Sequence, residues 1–221
     1  MSSAKVKTIV ATLLIAGSAL AMLAYFHKTP PPPNRLEHEA VGRVLAEGAA
    51  KLLAGGGRVS VIARDTALFR NPASDLQFRG FMAAAKKLKL NVGATNYVKL
   101  DPLRVVKLQP ADYLGILQRL NEGDVVVSFL GPPFLAPEQR AKLAGKGFRI
   151  VALCSGAMPW QVDLRELFGQ GLLHAAIISR GAPSATLPQT EDSQVWFHHF
   201  YQLITPASVT EMPFPVNAGS R

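Results

Sequence analysis

Asp124-Val125-Val126-Val127-Ser128-Phe129-Leu130, residues 124–130 (DVVVSFL), is the stretch whose reading decides the fold class. Consecutive β-branched valines without polar alternation describe a strand buried on both faces, the habit of a parallel sheet. The same kind of run recurs at Val59–Ala63 (VSVIA), Arg149–Leu153 (RIVAL) and Leu172–Ser179 (LLHAAIIS), the last strand on this reading. Asn91–Val98 and Arg104–Leu108 also read as extended.

Helices are expected between these runs. Asp75–Leu90 places Phe78, Phe81, Met82, Ala85 and Leu88 inward. Pro110, Pro137 and Pro159 suit first helical turns and open helices to Leu120, Lys146 and Phe168. Asp192–Ile204 reads as a closing helix. Apolar strands alternating with amphipathic helices, joined by right-handed crossovers, give an α/β fold: a three-layer, doubly wound, mostly parallel sheet.

Upstream, Arg35–Ala54 is helical, with Val41, Val44, Leu45, Ala49, Leu52 and Leu53 near one stripe and Gly55-Gly56-Gly57 as its stop. That triplet precedes a strand and lacks Gly-Lys-Ser/Thr, so it is no phosphate loop. Thr29–Asn34 (TPPPPN) is a stiff polyproline spacer. Ile9–Phe26 carries no charge and spans roughly 27 Å as a helix, enough for a bilayer core. Lys5 and Lys7 precede it, the flank of a single-pass anchor that leaves the rest outside. The rival is a cleaved signal peptide ending near Ala19-Leu20-Ala21, but the apolar run continues past that point. The expected organisation is an anchor (1–28), spacer (29–34), amphipathic helix with glycine linker (35–57), α/β domain (58–205) and loose tail (206–221). The expected location is the inner membrane, with the domain facing the periplasm.

The chain of 221 residues is 48% hydrophobic, which excludes disorder for most of its length. Its single cysteine, Cys154, excludes an internal disulfide and any zinc or iron–sulfur site built from cysteines. The net charge of +9 is dispersed, apart from Lys86, Lys87 and Lys89. A dispersed positive surface fits solvation or anionic lipid, and no nucleic-acid partner is expected.

Asn71-Pro72 with Arg79-Gly80-Phe81-Met82-Ala83-Ala84-Ala85-Lys86-Lys87-Leu88 resembles the first strand–helix unit of type I periplasmic binding proteins, the ribose-binding and lac-repressor-core superfamily. Asp124-Val125-Val126-Val127 with Gly131-Pro132, and Gly147 to Ser155, resemble that family's later strands. The resemblance covers residues 58–181 and implies one lobe of a fold that ordinarily binds a sugar between two. The layout as a whole resembles uncharacterised membrane-anchored bacterial proteins.

In open α/β sheets, ligands sit outside the carboxyl ends of the strands. Those ends here supply Arg64, Asp65, Thr66, Ser128, Gly131, Cys154, Ser155 and Arg180 as candidate ligand- or partner-binding residues. Arginine forks onto carboxylate or phosphate, with hydroxyls donating alongside; against this, strand-end loops are polar in any case, and Asp65 and Ser155 suit turn backbones. His174 at the start of its strand stands at the opposite edge from Cys154, so no thiol–imidazole pair is expected. His198-His199 are neighbours on a helix and point about 100° apart, unable to chelate one metal. Trp196, Phe197, Phe200 and Tyr201 read as the sheet-facing stripe of the last helix, or as an exposed docking patch. Arg64-Asp65-Thr66-Ala67-Leu68 stands where a dinucleotide fingerprint would be, so no cofactor is expected. No Gly-x-Ser-x-Gly elbow supports a serine hydrolase. The sequence reading is a non-enzymatic binding or assembly module that recognises a protein partner or a second copy. The alternatives are a solute-binding receptor lobe and an enzyme acting on an anionic small molecule.

Overall fold

The computed structural model describes residues 3–26, 33–53, 56–100, 108–156, 158–181 and 186–212. The chain forms two units, Met1–Pro33 and Asn34–Arg221. In the first, α1 (Ser3–Phe26) is one unbroken helix, exposed wherever its side chains are described, at Val10 and from Thr12 to Leu23. Among the described residues no helix is long and apolar enough to cross a membrane. Most of the proline spacer, residues 104–107 of the extended segment expected at Arg104–Leu108, and the tail beyond Met212 lie outside the described residues.

In the second unit, α2 (Arg35–Leu52) leads into β1 (Val59–Arg64), α3 (Pro72–Lys87), β2 (Val92–Val98), α4 (Pro110–Leu117) and β3 (Val125–Ser128). Then come α5 (Pro137–Ala141), β4 (Arg149–Cys154), α6 (Met158–Gln161), α7 (Leu164–Gly169), β5 (Ala175–Ser179), α8 (Ser193–Phe200) and β6 (Tyr201–Ile204). The six strands form one sheet in the order β2-β1-β3-β4-β5-β6. All neighbours are parallel except β5 and β6.

Both faces of the sheet are covered, and this is why the central strands are apolar throughout. Val61, Val127, Val151 and Ile177 point to a core shared with α2, α3 and α8. Ile62, Val126, Ile150 and Ile178 point to the other core, shared with α4 and α7. Asp124 ties the strand starts together: its carboxylate accepts from the backbone N–H of Arg58 at 2.8 Å and of Asn121 at 2.9 Å.

Several elements differ from the sequence reading. α2 is not a lead-in to the domain but part of its core, with Val41, Leu45 and Ala49 fully buried. In α3, Phe81 and Ala85 are buried where α2 crosses with Gly42 against Phe81 N, whereas Met82 and the capping Leu88 are exposed. The helix expected from Pro159 to Phe168 is two, since Asp163 caps a new start by accepting from Glu166 N at 3.0 Å. The helix expected from Pro137 to Lys146 ends at Ala141 and continues as turns, with Gly145 and Gly147 at positive φ.

The largest correction lies at the C-terminal side. Leu172–Ser179 is not the last strand, and the closing helix stops at Phe200. Tyr201-Gln202-Leu203-Ile204 instead pairs antiparallel along β5, where the exposed edge of that strand offers unpaired backbone groups to aromatic and β-branched residues. The tail, expected to be loose from residue 206, carries a 3₁₀ turn at Val209–Glu211 and buries Met212, whose carbonyl accepts from Arg165 Nη2 at 3.1 Å.

Candidate functional site

The strand order brings the sequence candidates into a row at the carboxyl edge of the sheet: Arg64 ends β1, Ser128 ends β3 with Gly131 beyond it, Cys154 ends β4 with Ser155 next, and Arg180 follows β5. Asp65 and Thr66 follow β1 into the loop before α3. The bonds these residues make are mostly internal. Ser128 is fully buried, and its hydroxyl donates to the Gly131 carbonyl at 2.9 Å. Asp65 Oδ1 accepts from Ala67 N at 2.9 Å, and the Thr66 hydroxyl donates to Asp75 at 2.8 Å. Arg180 Nε donates to the Tyr201 carbonyl at 3.1 Å, holding β6 to the sheet. Ser155 is half-buried, and its carbonyl starts the turn into α6 by accepting from Met158 N. Arg64 is half-buried, with its Nε enclosed and without a partner among the described residues.

Cys154 is fully buried, and burial pushes its thiol up to about 12, so the thiolate that nucleophilic chemistry needs does not form near neutrality. His174 stands at the far edge of the sheet, as its place before β5 requires, and its Nδ1 accepts from Ile150 N. Of the adjacent histidines, His198 is exposed beside Gln194, while His199 packs edge-on against Phe200 with centroids 4.5 Å apart. Trp196 and Phe197 are buried, so this aromatic group is mainly the sheet-facing stripe of α8. Among the described residues no cluster of three or more His, Cys, Asp or Glu is placed to hold a metal ion.

Beside the strand ends of β3 and β4 the edge leaves an apolar opening. A cavity of about 200 Å³ opens between the loop after β3, the start of α4 and α6. Leu130, Pro132, Pro133 and Phe134 line it from the loop, Met158 and Val162 from the α6 side, and Gln109 and Gln161 add polar residues to its lining. The loop wall depends on Gly131, whose φ of +66° is a left-handed conformation and against which the Met158 sulfur packs too closely for any β-carbon. Phe134 is 68% exposed, and Leu68 and Phe69 on the loop after β1 are 78% and 51% exposed.

The polar candidates were legible in the sequence, but this cavity was not. Its one signal is Gly131-Pro132-Pro133-Phe134, where two prolines stiffen a strand-end loop that carries a wet aromatic residue.

No protein-family model matches the chain, and no curated protein matches it. Solved structures do. A solute-binding protein of an ABC transporter from Agrobacterium vitis, bound with α-D-tagatopyranose, superposes with a TM-score of 0.51 at 13% identity, over 79% of this chain and 58% of that one. The fold resembles that of one lobe of a type I periplasmic binding protein. A solute-binding protein from Burkholderia graminis in complex with D-arabinose gives 0.50 at 15% identity, over 79% of this chain and 62% of that one. A putative LacI transcriptional regulator from Bacteroides fragilis gives 0.50 at 8% identity with the same coverages. The chain spans about three-fifths of the length of these structures. At such identities the likeness is one of architecture.

Proposed function

We propose that this chain is a membrane-tethered, non-enzymatic binding module that takes a ligand the size of a single sugar ring at the carboxyl edge of its sheet. The observation that carries the reading is the Pro132–Phe134 cavity, set where open α/β sheets hold their ligands. Its volume, about 200 Å³, is below the 300–1,000 Å³ of drug-sized pockets. One ring fits such a space, with its apolar face on Phe134 and its hydroxyls toward Gln109 and Gln161. The single-ring sugars bound by two of the architectural neighbours support this class. Binding without catalysis is supported by the edge chemistry: the Ser128 hydroxyl is committed to a turn, and the Cys154 thiol is buried and protonated.

Titration of the full-length chain with D-arabinose, D-tagatose and other monosaccharides, followed by NMR, tests the proposal. Saturable shifts at Phe134, Met158 and Gln161 are expected, and they should vanish in Phe134→Ala. A flat titration across the panel refutes it.

A second reading, which the sequence placed first, has the edge covered by a protein partner or a second copy. The exposed Leu68, Phe69 and Phe134 favour it, because wet apolar groups clustered at one edge mark interaction surfaces. Sugar titrations that stay flat, together with self-association or partner capture lost in Phe69→Ala, would replace the first reading by this one.

The tether rests on the continuous helix Ser3–Phe26 and on the uncharged run from Ile9 to Phe26. Alkaline carbonate extraction tests it, with retention in the membrane pellet expected. External protease on spheroplasts should then digest the domain.

A further inference from the structure

β2 is an edge strand whose register against β1 is irregular between Val92 and Thr95, and its composition does not guard the regular part that follows. Sheet edges are ordinarily blunted by charged residues or proline, because their free N–H and C=O groups accept any further strand. Val92-Gly93-Ala94-Thr95-Asn96-Tyr97-Val98 carries neither. Asp65 N donates to the Val98 carbonyl, so the polar groups of Val98 face β1. By alternation, Thr95 and Tyr97 turn their N–H and C=O outward. Tyr97 is 58% exposed.

The flank of this strand is open as well. Two adjoining cavities of about 180 and 610 Å³ lie between α4 and β2 and share Asn96, Ile116 and Arg119, whose Nη2 reaches Asn96 Oδ1 at 3.5 Å across them. Gly115 on α4 has open space where a β-carbon would point. The groove is positive. Arg58, Lys99 and Arg119 line it, and Lys86, Lys87 and Lys89 stand exposed at the turn that leads into β2. Against them stands Asp112, because Asp124 is already bonded to two backbone N–H groups.

We propose that β2 docks an acidic, extended peptide segment of a partner, which adds to the sheet as a further strand. Its main chain pairs with Thr95 and Tyr97, and side chains at alternate positions lie along the groove, with carboxylates toward Arg58, Arg119 and Lys99. A second copy of this chain is the poorer occupant. Antiparallel pairing of two β2 strands brings Lys89, in the turn before the strand of one copy, toward Lys99, just after the strand of the other, and like charges repel.

The test uses the full-length chain and a fluorescent peptide of alternating Glu and Val, with a Lys–Val peptide as its control. Saturable binding of the acidic peptide, weakened by salt, is expected, with no binding of the basic one. Tyr97→Pro removes an outward N–H and spares the ladder to β1, so measured against Tyr97→Ala, which also loses the ring contact with Phe78, it should weaken binding about tenfold, one hydrogen bond's worth. Arg58→Ala with Arg119→Ala should weaken it further and flatten the salt dependence. Should Tyr97→Pro fail to fold, an acidic peptide N-methylated at alternate residues carries the same test on the unmodified chain. Equal affinity for the N-methylated peptide, equal affinity for the basic peptide, or no saturable binding overturns the proposal. So does β2-dependent dimerisation in sedimentation that excludes the peptide.

Discussion

The His174 ring and the Ile150 backbone are joined in both directions: Ile150 N donates to His174 Nδ1 at 3.2 Å, and His174 N donates to the Ile150 carbonyl at 2.9 Å. The imidazole thus caps the start of β4, and it does so only while Nδ1 is unprotonated. Burial first, and then the Arg149 guanidinium, hold the His174 pKa below its ordinary value. A group depressed in the folded state contributes stability that is present above the unfolded pKa, about 6.5, and is lost as the pH falls below it. Tm should therefore drop as the pH is lowered from about 7 toward 5. His174→Asn, whose Oδ1 accepts in place of Nδ1, should show a shallower acid limb. Parallel pH profiles for the two proteins would disprove the link.

The crossing of α2 and α3 admits no β-carbon at two points. One at Gly42 would run into the Gln77 carbonyl and Phe81 N, and one at Gly80 into the Glu39 carbonyl. These are backbone obstacles, so the helices must separate. Gly42→Ala should destabilise by at least the ~1–3 kcal/mol typical of overpacked cores. Denaturant melts of Gly42→Ala and of the unconstrained Gly169→Ala compare the two cases. Equal midpoints would show that the helices part without loss.

Asp124 is 5% exposed and bridges the starts of β1 and β3 through two backbone N–H groups. Each bond to a charged acceptor is worth about 1.5–3 kcal/mol. Asp124→Ala should cost about 3 kcal/mol or more, and Asp124→Asn, which keeps one acceptor oxygen, roughly half of that. Chemical denaturation of the pair gives the ranking; an Asn variant as weak as the Ala variant would assign the effect to charge alone.

The Tyr113 hydroxyl is buried without a partner among the described residues. Removing an unsatisfied polar atom relieves its desolvation penalty. Tyr113→Phe should be neutral or stabilise by up to about 1 kcal/mol. A clear fall in Tm would reveal a partner for that oxygen.

How much of this was legible in the residues depended on the range of the interaction. Val125–Val127, Val59–Ala63 and Arg149–Leu153 announced buried parallel strands because burial on both faces is written into each strand's own composition. Pro110 and Pro137 marked helix starts for an equally local reason. Tyr201–Ile204 read as helix because its aromatic and apolar spacing continued that of α8. Only the free edge of β5, contributed by residues more than twenty positions away, made it a strand.

The site divides in the same way. By itself the sequence determined that Arg64, Ser128, Cys154 and Arg180 stand at strand ends, since a parallel sheet places its carboxyl ends along one edge. Only the tertiary structure decided what they do there. The Ser128 hydroxyl turns onto the Gly131 carbonyl, Arg180 reaches the Tyr201 carbonyl, and the open space falls to Pro132, Phe134, Met158 and Val162. A hydrogen bond or a cavity wall needs atoms to meet in three dimensions, and residues far apart in the chain meet only once the sheet has set its strand order.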